Sequence, residues 1–368
     1  MEKINELFKQ NLENIDFKNY ITKSNNIKLE EPTVLFGKDI LLNEVKESKK
    51  TVLLNTDIFL NYLESSQEYS SNVFDLNESV GINGKNLVSD VKKVQQRLKD
   101  LGFDIEVNGI FDKKTETSIK MFQNNFEKDI KQIIEDCSIN YKNDSIKTKK
   151  GKSYKLGLIE PDDSTNQVLA QCFPKRINGK IMTEEQAYDY FKSKIIQKGF
   201  SFNENKFNIL GIRGFQGGEK NDNLENFNKY NDSFICLYKD KYGNKKVKEF
   251  KGSVDPGKTN KTTYIMPSNT QLEYTFNKKE EEKPSLWMTE PVNAFIDINK
   301  NGVVDENDKK IKDKRGLAIH SGGSGKYVKS HSRGCQVIHG DYYYHFFKTI
   351  VQNSNENKIT YTLLDNSL

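Results

Sequence analysis

Residues 89–126 read SDVKKVQQRLKDLGFDIEVNGIFDKKTETSIKMFQNNF, and this stretch determines the fold of the region around it. Its first half places apolar side chains three or four positions apart, the spacing of one helix face, at Val91, Val94, Leu98 and Leu101. Ser89 is positioned to cap such a helix and Gly102 to end it. The first half therefore predicts an amphipathic helix.

The second half of the stretch predicts a turn and a second helix. Asn108-Gly109 favours a tight turn, and Asp112 is then placed to cap a helix with Ile119 and Phe122 on its apolar face. The run resembles the small helical peptidoglycan-binding domain in three elements: V-x-x-x-Q-x-x-L, N-G-I-F-D and T-x-x-x-I-x-x-F-Q. The resemblance implies that peptidoglycan is a partner.

The same resemblance extends downstream. The segment Gly157-Leu158-Ile159-Glu160-Pro161, with Thr165 and Leu169 after it, is similar to the closing part of the domain, beyond an insertion rich in Lys, Asp and Asn. We therefore assign residues 76–175 to a peptidoglycan-binding-like helical domain. The alternative is a spacer domain that has kept its helices and lost its ligand.

The length and composition of the chain limit what lies on either side. The 368 residues are enough for two or three domains. Residues 1–75 form an N-terminal segment of unknown role, in which docking or delivery competes with simple helical packing. The chain has no apolar window of about 20 residues, so we expect no membrane span.

The N-terminal sequence and the charge pattern bear on location and partners. The start, Met1-Glu2-Lys3-Ile4, lacks the apolar core of a secretory signal, which predicts delivery by a specialised secretion apparatus or by phage lysis. The net charge of +5 comes from basic residues scattered among 52 acidic ones, so nucleic acid is not expected as a partner. The four cysteines form no CxxC pair, which argues against a disulfide framework or a zinc ribbon.

Residues 176–368 predict a mainly β domain. Strand-like runs rich in β-branched and aromatic residues occur at 207–214, 233–238 and 263–266, and residues 359–363 alternate with a period of two. One short helix precedes these strands and another follows residue 341. The whole chain is therefore predicted to be an α+β multidomain protein.

Histidine and cysteine cluster near the end of this domain. All four histidines fall between residues 320 and 345, and Cys335 lies among them in the turn Ser332-Arg333-Gly334-Cys335. An imidazole near a thiol promotes the reactive thiolate, and Gly334 permits close approach of a substrate. The amides around Gly334 and Cys335 are candidates for an oxyanion hole. These features predict a nucleophilic cysteine.

His320-Ser321 followed by Ser332-Arg333-Gly334-Cys335 is similar to the signature of the L,D-transpeptidase (YkuD-type) catalytic domain. The resemblance implies a β-sandwich-like fold in which Cys335 attacks a peptidoglycan stem peptide after an L-centred diamino acid. His320 is then the base and Ser332 supports the site. Arg333 replaces the usual His of the S-H-G-C box, as in a divergent phage or effector-type branch. Hydrolysis by an L,D-carboxypeptidase or endopeptidase thus stands beside transpeptidation.

Two neighbours of the cysteine are candidates for substrate binding. The planar guanidinium of Arg333 suits a stem-peptide carboxylate, although a solvent-facing loop arginine is an equal alternative. His331 precedes Ser332 and is able to stand in for the missing histidine of the box. His339 and His345 are interpreted as structural, the latter because it lies in an aromatic helix.

A separate motif fits a Ca²⁺ loop of the type D-x-N-x-N-G. The predicted ligands are Asp297, Asn299, Asn301, the Val303 carbonyl, Asp305 and Asp308. The last ligand is Asp rather than a bidentate Glu, and a metal-free hairpin turn is the alternative. Catalysis itself requires no cofactor in this interpretation.

The leading hypothesis is a cysteine-dependent enzyme that processes peptidoglycan stem peptides at a bacterial cell wall or periplasm, of its own or a target cell. As a secreted antibacterial effector, toxin or lysin it would also meet a secretion apparatus or an immunity protein. The competing hypothesis is a wall-binding or structural protein with a degenerate catalytic domain. A zinc hydrolase using Cys335 and the histidines lacks a supporting motif such as HExxH.

Overall fold

The computed structural model describes residues 74–137, 154–220, 227–276 and 284–365, together with two short strands near the N-terminus. Those strands, β1 (Thr33–Val34) and β2 (Thr51–Val52), pair in parallel. Residues 1–66 and 67–368 form two compact units. The N-terminal segment predicted at residues 1–75 thus lies almost wholly outside the described residues.

Four helices and one small strand pair form the helical region that begins the second unit. Its elements are β3 (Val80–Gly81), α1 (Val88–Asp100), α2 (Lys113–Asn125), α3 (Glu127–Cys137), β4 (Leu158–Ile159) and α4 (Ser164–Gln171). The two predicted helices are confirmed as α1 and α2. Asp112 caps α2 as predicted, because its carboxylate accepts the Thr115 N–H at 2.7 Å. The predicted Ser89 cap is wrong, because α1 begins one residue earlier, after Leu87.

The apolar faces of these helices meet in a core of their own. Val91, Val94 and Leu98 of α1 are fully buried and pack with Ile119 and Phe122 of α2. The predicted helical spacing therefore identified the residues that hold this region together.

Two buried glutamines of the helical region hold its loops. Gln95 accepts the N–H groups of Asn108 at 3.0 Å and Gly109 at 2.8 Å, and it donates to the Ile110 carbonyl at 3.0 Å. Gln123 accepts the Gly157 N–H at 2.6 Å, so it ties α2 to the closing segment in the same way. Both glutamines belong to the motif that marks the domain, and both satisfy backbone groups in the interior.

The remainder of the unit is mostly β. Its strands are β5 (Lys175–Ile177), β6 (Lys180–Met182), β7 (Asn208–Ile212), β8 (Phe215–Gln216), β9 (Glu219–Lys220), β10 (Asp232–Lys239), β11 (Lys245–Ser253), β12 (Thr263–Ile265), β13 (Thr270–Phe276), β14 (Leu286–Met288), β15 (Val292–Asp297), β16 (Lys309–Lys314), β17 (Ala318–Ser321), β18 (Gln336–Ile338) and β19 (Lys358–Leu364). Two helices accompany them, α5 (Glu184–Gln197) and α6 (Tyr343–Asn353). A helical region followed by a mainly β region confirms the predicted α+β class.

Eight of these strands close into a barrel in the order β10-β11-β18-β17-β14-β13-β19-β7. Most neighbours are antiparallel, but β17 pairs with β18, and β19 with β7, in parallel. A separate three-stranded sheet, β12-β15-β16, lies outside the barrel order. The closed barrel differs from the β-sandwich-like expectation, because the parallel β19–β7 pair leaves the main sheet without an open edge.

The barrel encloses the larger core and packs against α6. Phe234, Phe250, Tyr274 and Tyr361 are fully buried there, together with Phe346 of α6. On the other side of the sheet, α5 covers a second core beside β7, β10 and β11. Packing on both faces fixes the strand register, because a slip by one residue would turn each core side chain to the opposite side.

Charged contacts join the helical region to the barrel within this unit. Asp136 of α3 accepts hydrogen bonds from His345, at 2.8 Å, and from Lys348, both on α6. Lys251 of β11 lies 3.2 Å from Asp162, which precedes α4. These pairs hold the helical region on the same compact unit as the barrel.

Candidate active site

The candidate site lies on the outer face of the parallel pair β17–β18. Ile319 and Ile338 of these strands point into the barrel core. His320 is paired with Val337, and side chains alternate along a strand, so His320 points away from that core. Cys335 precedes β18 by one residue and points the same way, with its Sγ 3.5 Å from the Ala318 N–H.

His320 and Cys335 meet at this face as predicted. The Nδ1 atom of His320 lies 2.9 Å from the Ser321 carbonyl, and because a carbonyl can only accept, Nδ1 carries the proton. Nε2 is then left free of the proton, and the imidazole lies close enough to the Cys335 thiol for each group to shift the pKa of the other. This is the tautomer that a general base for Cys335 requires.

The surroundings move both pKa values toward an ion pair. Burial raises the pKa of the Cys335 thiol, but the hydrogen bond from His320, the Ala318 N–H and the charges of His320 and Lys314 outweigh it, so the pKa falls below its ordinary value. Burial lowers the pKa of His320, but its contacts with Cys335 and the Ser321 carbonyl raise it overall. Both shifts act in the direction of a thiolate beside an imidazolium.

Ser332 and Gly334 shape the loop that presents the thiol. Ser332 is 1% exposed, and its Oγ donates to the Cys335 carbonyl at 2.6 Å and accepts the Gly334 N–H at 3.1 Å. Gly334 has a φ of +138°, and a Cβ there would lie 2.7 Å from the Tyr264 carbonyl oxygen. Both residues fix the loop. Because the Gly334 N–H already donates to Ser332, the Cys335 N–H is the remaining candidate donor to an oxyanion.

A turn from another part of the barrel supports this loop. The Gly257 N–H donates to the Ser332 carbonyl at 3.0 Å. Two residues earlier, Asp255 receives a bidentate contact from Arg213 of the β7–β8 connection, with distances of 2.8 to 3.1 Å. Arg213 thereby anchors the Asp255 turn to the barrel, and the turn itself holds the cysteine loop through the Gly257–Ser332 hydrogen bond.

Arg333 and His331, the predicted substrate-binding residues, are both exposed. The Nε of Arg333 donates to the Thr262 carbonyl at 3.3 Å. His331 ends a short 3-10 turn, Lys329–His331, and lies against Gly323 in the loop after Ser321. Both residues border the loop, but neither contacts Cys335 among the described hydrogen bonds.

Lys314 and Gly316 are site residues that the sequence did not indicate. Lys314 ends β16 with its Nζ 4.0 Å from the centre of the Tyr264 ring, and its charge contributes to the lowered pKa of Cys335. The Gly316 carbonyl lies 3.7 Å from the Cys335 Sγ. The only available signal was the basic run at 309–315, which resembles an ordinary solvated strand.

The remaining histidines, His339 and His345, which the sequence analysis interprets as structural, are both buried. His339 is 2% exposed and packs edge-on against Tyr230 and Tyr342. Its ring and the carboxylates of Asp162 and Asp341 form the one group of three or more acidic, histidine or cysteine side chains, among the described residues, whose ligand atoms all lie within 4.8 Å of one another. Lys251 already supplies a positive charge to that group, so it serves to join regions of the fold.

The predicted Ca²⁺ loop connects β15 to β16 in a hairpin. Asp297 accepts the N–H groups of Asn301 at 3.2 Å and Gly302 at 3.1 Å, and the amides of Asn299 and Asn301 donate to Asp305. Burial, with the charge of Asp308 as a further contribution, raises the pKa of Asp297. The predicted ligands thus gather in one turn, and metal binding by them stays a prediction.

Comparison with known proteins identifies one region. The family model for a peptidoglycan binding domain matches residues 88–127, which cover α1 and α2. No curated protein and no solved structure matches the chain. In the part of the chain that the structure describes, no helix is long and apolar enough to cross a bilayer. The match confirms a peptidoglycan-binding domain at residues 88–127, within the predicted residues 76–175, and indicates association with the cell wall.

Proposed function

We propose that the protein is a cysteine-dependent enzyme that processes peptidoglycan stem peptides. The observation that carries the proposal is the placement of Cys335 and His320 side by side on the outer face of β17–β18, where each shifts the pKa of the other in the direction of thiolate and imidazolium. The matched peptidoglycan-binding region on the same compact unit supports the choice of substrate. The resemblance of the His320 and Cys335 motifs to L,D-transpeptidases supports the reaction class.

In the proposed reaction the Cys335 thiolate attacks the carbonyl carbon that follows the L-centred diamino acid. A C–S bond forms, and the carbonyl electron pair moves to the oxygen, for which the Cys335 N–H is the proposed hydrogen-bond donor. When the intermediate collapses, the C–N bond breaks and the imidazolium of His320 gives its proton to the departing amine. The product is a thioester on Cys335.

A second acceptor then resolves the thioester. If water attacks, His320 takes its proton and the enzyme is an L,D-carboxypeptidase or endopeptidase. If an amine of another stem peptide attacks, the enzyme is a transpeptidase. Arg333, in place of the usual histidine, borders the cysteine loop and is proposed to bind a carboxylate of the peptide.

The wall-binding region supports a proposal for where in the cell this activity takes place. Association with a cell wall fits a bacterial protein that acts in the periplasm or wall of its own or a target cell. Under this proposal the protein is a secreted antibacterial effector or a lysin, and a specialised secretion apparatus or an immunity protein is its expected partner.

The decisive test is incubation of wild type and Cys335→Ala with defined muropeptides, followed by mass spectrometry. Conversion of tetrapeptide to tripeptide identifies a carboxypeptidase, and monomers released from 3-3 dimers identify an endopeptidase. New dimers or exchange of the terminal D-amino acid identify a transpeptidase. Each product must disappear with Cys335→Ala.

The competing function is a wall-binding protein without catalysis. It is favoured by the family match, which covers the binding region alone. Sedimentation with purified peptidoglycan tests it separately. Binding without any product from the wild type would support this alternative over the enzyme.

A further inference from the structure

Trp287 is the single tryptophan of the chain, and it lies close to the candidate nucleophile. On strand β14 it is paired with Ala318 of β17. Ala318 in turn contacts Cys335, because its N–H lies 3.5 Å from the Sγ atom. Paired residues point to the same side of a sheet, so Trp287, Ala318 and Cys335 form a row on the outer face of the barrel.

The row brings an indole within reach of the reacting sulfur. Neighbouring strands lie about 4.8 Å apart, so the backbone of Trp287 is about 10 Å from that of Cys335. Ala318 lies between them on β17 and is only 1% exposed, whereas Trp287 is 44% exposed. The small Ala318 side chain rises little above the sheet, so it does not separate the thiol from the indole.

A hydrogen bond fixes the orientation of the exposed indole. Its Nε1 donates to the Ser285 Oγ at 2.8 Å. On the opposite side of the strand, Leu286 is fully buried in the barrel core and prevents β14 from rotating. A tryptophan held in this way presents an ordered aromatic face to solvent at little further entropic cost on binding.

We propose that Trp287 binds the side chain of the diamino acid whose carbonyl Cys335 attacks, an inference that rests on the proposed function. A side chain of lysine length reaches about 6 Å from its Cα, enough to pass over Ala318 from the thiol to the indole. Its methylenes cover the aromatic surface, and its ammonium gains a cation–π contact, for which indole is the best ring. Trp287 would thus select a diamino acid at the attacked position.

The single tryptophan supplies a direct binding signal. The Cys335→Ala variant, which cannot turn over, is titrated with L-Ala-γ-D-Glu-L-Lys-D-Ala while tryptophan emission is recorded. The matched ligand replaces lysine with norleucine, which keeps the methylenes and removes the charge. We expect the lysine peptide to change the emission and to bind about tenfold more tightly than the norleucine peptide. An N-acetylglucosamine oligomer without peptide is expected to leave the emission unchanged.

Kinetics of Trp287→Ala and Trp287→Phe provide a second measurement. We expect KM for the lysine peptide to rise about tenfold in Trp287→Ala and less in Trp287→Phe, which keeps an aromatic ring, with kcat little changed. Equal binding of the two peptides, or an emission change caused by the sugar alone, would overturn the inference.

The two proposals fail in distinguishable ways. A wild type that forms no product, but whose emission still separates lysine from norleucine, removes the enzyme and keeps the Trp287 site. A wild type that forms product, with unchanged emission and unchanged KM in Trp287→Ala, removes the Trp287 site and keeps the enzyme.

Discussion

The helical region around Gln95 and the loop around Cys335 both depend on buried polar side chains, but they use them for different ends. Gln95 and Gln123 form hydrogen bonds with backbone groups of nearby loops, inside the fold. In the cysteine loop, Ser332 does the same, yet it leaves the thiol of Cys335 facing outward beside His320. Buried polar side chains thus maintain the fold in the helical region, and in the cysteine loop they hold the backbone around a thiol for which we propose a catalytic role.

The largest expected effect is the loss of enzymatic activity when Cys335 is replaced. Cys335→Ala removes the nucleophile and should lower kcat/KM by about 10³-fold or more. The control is Cys172→Ala, because burial raises the pKa of the Cys172 thiol to about 11 and leaves it unreactive. Muropeptide turnover followed by chromatography measures both. Similar losses in the two variants would contradict a catalytic Cys335.

The next largest effect is a loss of folding stability when the buried Gln95 of the helical region is replaced. Gln95→Ala strands buried backbone groups of the 108–110 loop, so we expect the free energy of unfolding to fall by about 2–4 kcal/mol. Gln96→Ala is the matched control, since the Gln96 side chain donates to the Asp100 carboxylate one turn along the same helix and, among the described hydrogen bonds, holds no loop backbone. Urea denaturation measures both variants. A Gln95→Ala protein as stable as the control would show that the motif glutamine is dispensable to the fold.

Local patterns predicted much of the helical region, because a helix is determined by residues close in sequence. The spacing of Val91, Val94 and Leu98 sufficed to identify its core. The Ser89 cap failed because α1 begins at Val88, so Ser89 lies inside the helix and not at its cap position. The exact ends of a helix are less certain from sequence than its existence.

The barrel and part of the site could not be predicted in the same way. Closure depends on the parallel pairing of β7 with β19, which are far apart in the chain, and no local pattern encodes it. The sequence indicated Cys335 and His320 through their motif. The proximity of Lys314 and Trp287 to them follows from strand register and from the neighbouring sheet, so it emerged only from the structure.

A smaller effect tests the electrostatics of the cysteine loop. Because the pKa of Cys335 is lowered, its thiolate persists as the pH falls below the range of an ordinary cysteine and is lost only on passing the lowered pKa. The rate of alkylation by iodoacetamide should therefore reach half its maximum below the ordinary thiol pKa of about 8.5. His320→Ala removes the largest stabilising contact and should move this midpoint upward.

Mass spectrometry of the labelled peptide assigns the rate to Cys335. Lys314→Met serves as the graded variant, since its charge is the smallest contribution to the lowered pKa and its loss should move the midpoint less than His320→Ala does. An unchanged midpoint in His320→Ala would mean that the imidazole does not act on the thiol.

The smallest expected effect concerns the hairpin between β15 and β16. Its polar side chains, like those of the helical region and the cysteine loop, either support the backbone alone or serve a site, here for Ca²⁺. If the Asp297 loop binds Ca²⁺ with a dissociation constant of about 10⁻⁴ to 10⁻³ M, then about 1 mM Ca²⁺ stabilises the fold by about 1 kcal/mol. Thermal unfolding with Ca²⁺ and with EDTA should then differ by a few degrees in wild type. Asp297→Asn should abolish the difference, and Asp313→Asn, an exposed change outside the loop, should preserve it. Equal melting temperatures in wild type would place this motif with Gln95, as a turn whose polar side chains serve the backbone alone.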